Sequence, residues 1–302
     1  MLKQQTCAPP SYPPRAAVGD PDAWDDKGYE PRVHEAPILT KDPRPAWADA
    51  QLVDRAEMAS RLTYVGGSKT TVGAVCVLDS CTQTYHNPKG KTGLRGRGLL
   101  GRWGPNHAAD CLVTRLDPQT GDPQVLVVER VDGDNNSSLA WPAGMVEPGD
   151  DVPATLRAEL TQEALKDSDA VDRLFGEGRR GVVYRGWVDD HRNTDEAWME
   201  TTAVHFHADA EVAAALELAT RDTHEVRKSF WMNVADINDM YASHYEWLCK
   251  LRDEQMPLIV AEQLGVVPAD ELCMEGPKVT LSPAMALGLV GFGVLALFVS
   301  RC

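Results

Sequence analysis

The stretch Gly144–Lys166, GMVEPGDDVPATLRAELTQEALK, decides how this chain is read. Its first half is a glycine-punctuated loop, and its second half carries three signs of a helix. Asp150 and Asp151 offer N-cap oxygens, Pro153 suits a first turn, and Leu156, Leu160 and Ala164 recur at i, i+4 and i+8 within Ala154–Lys166. Glu159 and Glu163 lie four apart and Gln162 three from the first, so the spacing predicts all three on one helix face. Two carboxylates so placed repel unless a cation sits between them. A hard divalent ion such as magnesium takes oxygen ligands and retains waters and substrate phosphates, so a carboxylate pair after a glycine-rich turn suits a diphosphate and its metal. Glutamate pairs at this spacing are equally at home on a solvated helix face, and spacing alone leaves both readings open.

Outward from this stretch, strands and helices interleave. Cys111–Leu116 and Val125–Glu129 read as strands joined by the turn-forming Asp117–Pro123, a hairpin, and Leu139–Pro142 leads into the loop. Val72–Leu78 reads as a further strand, and His86–Gly104 as a glycine- and arginine-rich loop. Val182–Val188 and Thr201–Phe206 read as strands around the polar loop Asp189–Glu196, and Glu211–Ala219 as a helix. Ile237, Tyr241, Tyr245, Leu248 and Leu251 mark one face of another helix, followed by an irregular acidic linker, Met256–Lys278. Met1–Asp49 is rich in proline and acidic residues with single aromatics, which predicts an extended segment with little regular structure. The fold class expected is mixed α/β (α+β).

Composition narrows the partners. The chain has 302 residues, 43% hydrophobic and 25% charged, enough to bury a core. Its 30 lysines and arginines against 45 acids give a net charge of -15, which repels a polyanionic backbone and argues against nucleic acid. A small anion needs only local positive charge, and Lys89, Lys91, Arg95, Arg97 and Arg102 fall within fourteen residues. Seven cysteines, odd in number and without a CxxC pair, suggest neither a disulfide framework nor zinc, and fit a reducing compartment. Met1–Arg15 has prolines and no apolar run, unlike a secretory signal. Pro283–Val299, PAMALGLVGFGVLALFV, carries no charge, and with Leu281 and Ser282 it approaches the spanning length of about 20 residues. It is expected to be a C-terminal transmembrane helix. Gly288, Gly291 and Gly293 would weaken it as a soluble helix.

The pattern Gly144-x5-Asp150-x7-Ala158-Glu159-Leu160-x-Gln162-Glu163 resembles the Nudix box, whose usual form is Gly-x5-Glu-x7-Arg-Glu-aliphatic-x-Glu-Glu. Similarity extends from about Tyr12 to Asp253, through Tyr29–Pro31, Arg44–Asp49, Lys91–Asp110 (KTGLRGRGLLGRWGPNHAAD), Asp189–Thr201 (DDHRNTDEAWMET) and Tyr241–His244. These blocks resemble the ADP-ribose pyrophosphatase branch of the Nudix hydrolases and the related domain of the ADP-ribose-gated cation channel. Two other matches lack their context: Gly96-x-Gly98-x-x-Gly101 follows no apolar strand, and Gly90-Lys91-Thr92 lacks the upstream P-loop glycine.

The resemblance implies a Nudix α/β/α sandwich at residues 106–256 behind an N-terminal extended or β portion at 1–105; composition and the apolar run, not the resemblance, add a linker at 257–279 and an anchor at 280–300. The resemblance implies magnesium-dependent hydrolysis of ADP-ribose to AMP and ribose 5-phosphate, with manganese as the alternative ion. Glu159 and Glu163 would hold the metal, with Gln162 completing the catalytic group. Glu200, near Trp198 on a strand edge, is a candidate additional base or ligand. His107, Asp190, Arg192, Asn193, Asp195 and Tyr241 match ligand-contact blocks, and Arg102 joins them from the basic island. Chemistry agrees: Arg192 can grip phosphate bidentately, Asp190 can accept from ribose hydroxyls, and Tyr241 offers an aromatic body with a hydroxyl tip. Loop salt bridges and core packing are the plainer roles for the same residues.

The box also departs from its usual form. Asp150 replaces the first Glu and Ala158 the Arg, so both halves of one bridge change together, and Arg157 faces another way. Gln162 removes a negative charge from the metal platform, which lowers metal affinity and catalysis. Two functions are thus expected: a membrane-anchored hydrolase with its catalytic domain in the cytosol, on the endoplasmic reticulum or outer mitochondrial membrane, or a catalytically weak ADP-ribose sensor on the same tether. A pyrophosphatase for another nucleotide sugar or dinucleotide would keep the box but change the DDHRNTD and GPNH blocks.

Overall fold

The computed structural model describes residues 13–25, 27–131, 137–147, 149–219 and 226–263. In chain order the elements are β1 (Arg32–Glu35), α1 (Arg55–Ser60), β2 (Leu62–Thr63), β3 (Thr70–Thr71), α2 (Val72–Val75), β4 (Leu94–Gly98), β5 (Gly104–Leu116), β6 (Pro123–Val131), β7 (Ser137–Ala140) and β8 (Ala143–Met145). They continue as α3 (Val152–Glu159), α4 (Ser168–Glu177), β9 (Arg179–Trp187), β10 (Ala197–His207), α5 (Ala210–Ala215), β11 (Val226–Asn233), α6 (His244–Lys250) and α7 (Met256–Gln263). The principal sheet runs β11-β6-β5-β10-β9, with β7 on β6 and β8 on β5. The mixed α/β class expected from the interleaved pattern is therefore present.

Two compact units divide the chain. The first comprises the described parts of Met1–Asp110, together with Ala143–Ala158 and Tyr184–Ala203. Here β1 pairs in parallel with β4, inside the stretch expected to be loop. The strand was illegible because its residues, LRGRG, are neither alternating nor apolar. Its glycines answer to close backbone approach: Gly96 has φ +82°, and an added Cβ would stand 2.5 Å from the His34 carbonyl oxygen. A Cβ on Gly101 would stand 2.6 Å from the Trp47 ring. The glycine fingerprint thus serves packing against the N-terminal segment. Met58, Val72, Tyr85, Trp103 and Trp198 form a buried apolar cluster in this unit.

The strand expected at Val72–Leu78 is the short helix α2 followed by extended chain. Val75 and Val77 are 46% and 63% exposed, so this apolar run gains no burial in a sheet to favour the extended form. Asp54, with its side chain accepting from the Ala56 and Glu57 amides, caps α1.

The second unit comprises Cys111–Pro142, Glu159–Val183 and the described part of Val204–Cys302. The expected hairpin is present, with Thr114 opposite Val125 and Leu116 opposite Pro123. Asp117 closes its turn, accepting at Oδ1 from the Gln119 amide at 2.7 Å and the Thr120 amide at 3.0 Å. β11 lies antiparallel on β6 from Val226 to Asn233. Leu112, Leu126, Leu160, Leu165 and Leu174 are fully buried here, each contributing about 1.5–3 kcal/mol.

Two expectations about helices need correction. The face marked by Ile237 and Tyr241 is not continuous with the helix at Leu248, because Ala242 has φ +49° and α6 starts at His244. Met256–Gln263 is helix α7, where irregular linker was expected. No helix among the described residues is long and apolar enough to cross a membrane, and Pro283–Val299 lies outside those residues.

Candidate active site

The box opens on β8, which pairs with β5 so that Ala109 faces Gly144 and Ala108 faces Met145. The Val146 amide donates to the His107 carbonyl at 2.9 Å, and the loop turns where the Asp150 amide meets the Glu147 carbonyl at 3.0 Å. Asp151, rather than Asp150, caps the helix, accepting from the Ala154 amide at 2.8 Å. These bonds hold the box loop beside His107 in the first unit.

There the loop borders a cavity of about 620 Å³. Arg61, Arg102, His107 and Arg192 line it with Asp150 and Asp151, and Trp47, Leu62 and Tyr64 supply apolar surface. A concave site with cations, acids and aromatic surface suits an anionic ligand that also carries rings. Arg61 is neutralised by Asp49 at 2.7 Å and Glu57 at 2.9 Å. Arg102 is fixed through its backbone, since Asn106 accepts from its amide at 2.9 Å and donates to its carbonyl at 2.8 Å. The His107 Nε2–H donates to the Leu62 carbonyl at 3.0 Å. That bond leaves Nδ1 as the acceptor of the neutral ring.

Arg192 is held by a two-pronged bridge, Nε to Asp190 Oδ1 at 2.8 Å and Nη2 to Oδ2 at 2.7 Å. Burial opposes ionisation of Asp190, but the Arg192 charge and hydrogen bonds outweigh it and hold the carboxyl down at about 2. Asp190 is 7% exposed, so its carboxylate presents Arg192 to the cavity from behind. Two neighbours in the same loop brace the fold. Asn193 donates to the Val188 carbonyl and accepts from the Met199 amide, both at 2.8 Å. Asp195 accepts from Tyr29 at 2.5 Å and from the Thr92 amide at 2.6 Å. Glu200 is fully buried and bonded to Thr63, Tyr64 and Trp198.

Glu159, Gln162, Glu163 and Tyr241 belong to the second unit. The box helix is α-helical only to Glu159 and widens to a π-turn over Leu160–Ala164, closed by the Leu165 amide on the Leu160 carbonyl at 2.8 Å. This corrects the expected single α-helical face: Gln162 is exposed, Glu159 half-buried, and Glu163 buried. Arg130 Nη2 donates to both Glu163 oxygens, at 2.9 and 3.2 Å. Tyr241 lies edge-on to His244, 5.8 Å between ring centres, and its amide donates to the Leu139 carbonyl.

Among the described residues no group of three or more His, Cys, Asp or Glu forms a ready metal cage. Magnesium is commonly held by one or two carboxylates completed by waters and substrate phosphates, and the oxygens of Glu159 and Glu163 fit that chemistry. Arg130 is then a competing cation on Glu163, and Gln162 contributes no charge.

Sequence reading missed Arg61, Trp47 and Tyr64 on the cavity. Trp47 lies in the Arg44–Asp49 block, but no spacing rule ties residues so distant in sequence to the box.

The NUDIX domain model matches residues 105–251, and the NUDT9-like, N-terminal domain model matches residues 23–104. The chain belongs to the Nudix hydrolase family. It is 38% identical over 231 residues to "Putative nudix hydrolase 6" of Caenorhabditis elegans, covering 75% of this chain and 84% of that one. It is 34% identical over 259 residues to "ADP-ribose pyrophosphatase, mitochondrial" of Rattus norvegicus, covering 78% and 71%. It is also 36% identical over 260 residues to "Transient receptor potential cation channel subfamily M member-like 2" of Nematostella vectensis, spanning 74% of this chain but 16% of the channel protein.

Proposed function

We propose that this Nudix hydrolase cleaves ADP-ribose to AMP and ribose 5-phosphate in a magnesium-dependent reaction. The observation that carries the reading is the convergence of Arg102, His107 and Arg192 on one cavity bordered by the box loop. The similarity to a mitochondrial ADP-ribose pyrophosphatase over 71% of that protein supports the substrate.

In this reading Arg192, oriented by Asp190, grips a phosphate with its fork, and Arg102 adds a second positive charge. His107 offers Nδ1 to a ligand hydroxyl, its ring fixed by the Leu62 carbonyl. Glu159 and Glu163 would hold the metal, which supplies charge neutralisation at the phosphoryl oxygens and a more acidic bound water. Water adds across the diphosphate: one new P–O bond forms, the bridging P–O bond breaks, and one proton is released. Purified protein incubated with ADP-ribose and magnesium is expected to yield AMP, and Glu159→Gln and Glu163→Gln are each expected to abolish it. Tight binding without AMP would instead establish the sensor, a reading favoured by Gln162.

We further propose that the apolar Pro283–Val299 segment tethers the protein to a membrane, the catalytic domain facing the cytosol. Deletion after Lys278 is expected to move the protein into the soluble fraction. Full-length protein released by alkaline wash would exclude the anchor.

A further inference from the structure

We infer that Glu200 is a positioning residue that holds the Leu62–Tyr64 wall of the cavity, not a base that takes a proton in the reaction. The inference rests on the cavity being the ADP-ribose site.

The Glu200 carboxylate is 0% exposed, as are Thr63 and Trp198. Three donors converge on it. Thr63 Oγ1 reaches Oε1 at 2.5 Å, Trp198 Nε1 reaches Oε1 at 2.9 Å, and the Tyr64 amide reaches Oε2 at 2.6 Å. A buried carboxylate is tolerated only when its lone pairs are satisfied, and charge-assisted bonds of this kind are short and strong. Glu200 is absent from the cavity lining. A general base must come within hydrogen-bond reach of the proton it abstracts, directly or through one water, and an enclosed carboxylate that already accepts three hydrogen bonds and is absent from the lining has no such path.

Its influence on the cavity runs through the chain it grips. β2 ends at Thr63, so pinning Thr63 and the Tyr64 amide fixes both neighbours. On one side the Leu62 carbonyl sets the His107 ring and its tautomer. On the other, the Tyr64 ring lies edge-on to His107, 5.7 Å between centres, with the Arg185 guanidinium 5.0 Å from its own centre. Arg185 also donates to Thr202 at 3.3 Å. Leu62, Tyr64, His107 and Thr202 all line the cavity. An acid that never meets the ligand thereby places two ring walls and one acceptor nitrogen.

Glu200→Gln keeps the size but puts an N–H₂ against one of the donors, and Thr63→Val removes one donor without touching the acid. Thr63→Ser, which keeps the hydroxyl, is the conservative control. In the full chain, Glu200→Gln and Thr63→Val are each expected to raise KM for ADP-ribose about tenfold, the worth of one charge-assisted bond. Both should leave kcat within about twofold and the kcat–pH profile unshifted, while Thr63→Ser behaves as wild type. A fall in kcat of about a hundredfold or more in Glu200→Gln with KM unchanged, or loss of an ionisation from its kcat–pH profile, would make Glu200 the base and overturn the inference.

Hydrogen exchange of the ligand-free proteins reads the same role without turnover. The Tyr64 amide, which donates to Glu200, and the Val65 amide, which donates to Thr63 Oγ1 at 3.3 Å, should lose protection in Glu200→Gln and Thr63→Val and keep it in Thr63→Ser. Unchanged protection overturns the positioning role, whatever the activity. Wild-type protein that neither hydrolyses nor binds ADP-ribose fails the functional reading instead, and the inference with it. If Glu200→Gln does not fold, the Thr63 pair decides.

Discussion

At the scale of single residues, the cavity is defined by cations whose partners stand behind them. Arg192 illustrates the point: its charge is matched by Asp190, yet its planar fork still borders the cavity. A lysine would keep the charge and lose the fork on both sides. Arg192→Lys is expected to raise KM for ADP-ribose about tenfold to a hundredfold with a smaller change in kcat, as steady-state kinetics would show. Asp190→Asn leaves the guanidinium, 30% exposed, without its counter-ion and should cost about 1–3 kcal/mol of stability in urea unfolding. Equal stability in that variant would mean that solvent already satisfies Arg192.

At the scale of elements, β1 and β4 depend on glycine at a crossing of backbones. At Gly96 the left-handed φ and the His34 oxygen each oppose a side chain. Gly96→Ala is expected to cost about 2 kcal/mol from these two sources and to expose the amides of Arg32–Glu35 to exchange. Wild-type exchange in that strand would show that the backbone adapts cheaply. The box helix makes the opposite case. Capping and apolar spacing announce a helix over these residues, but the change from α to π winding after Glu159 depends on tertiary packing. Its consequence is chemical: Glu163 is buried against Arg130 while Gln162 faces outward.

At the scale of the whole molecule, acid should act in two separable windows. His205 is buried between Thr114 at 2.7 Å and Gln255 at 2.9 Å, and burial drives its pKa from 6.5 down to about 3. The acceptor on Gln255 puts the proton on Nδ1, so Nε2 accepts from Thr114, whose oxygen in turn accepts from His207 at 2.9 Å. The folded state therefore holds His205 neutral. Stability from this group is present above pH 6.5 and is lost progressively as pH drops from there toward 3, because the unfolded chain binds the proton first. Asp190, lowered from 3.8 to about 2, contributes above pH 3.8 and loses its contribution between there and 2. Burial lowers the pKa of His86 and His191 as well, so they add to the upper slope; urea unfolding across pH 7 to 4 should show it, and His205→Asn should reduce it. A slope unchanged in that variant would assign the window to the other two histidines.

Much of the protein was legible in its sequence because the signals are local. The hairpin at Asp117–Pro123, the strands at Val182–Val188 and Thr201–Phe206 and the capped box helix follow from side-chain periodicity and turn chemistry over a few residues. The box pattern and the DDHRNTD and GPNH blocks carried the family, since a long spaced pattern rarely arises by chance. What tertiary structure alone decided is non-local. It turned VGAV into a short helix and LRGRG into a strand. It placed Arg61 and Tyr64 on the cavity and set Asn193 and Asp195 to bracing the fold. It buried Glu200 beneath the cavity wall. The reason is physical: which face a residue shows, and which donor finds a buried carboxylate, depend on chain segments from some 45 to 137 positions away, and no local periodicity encodes them.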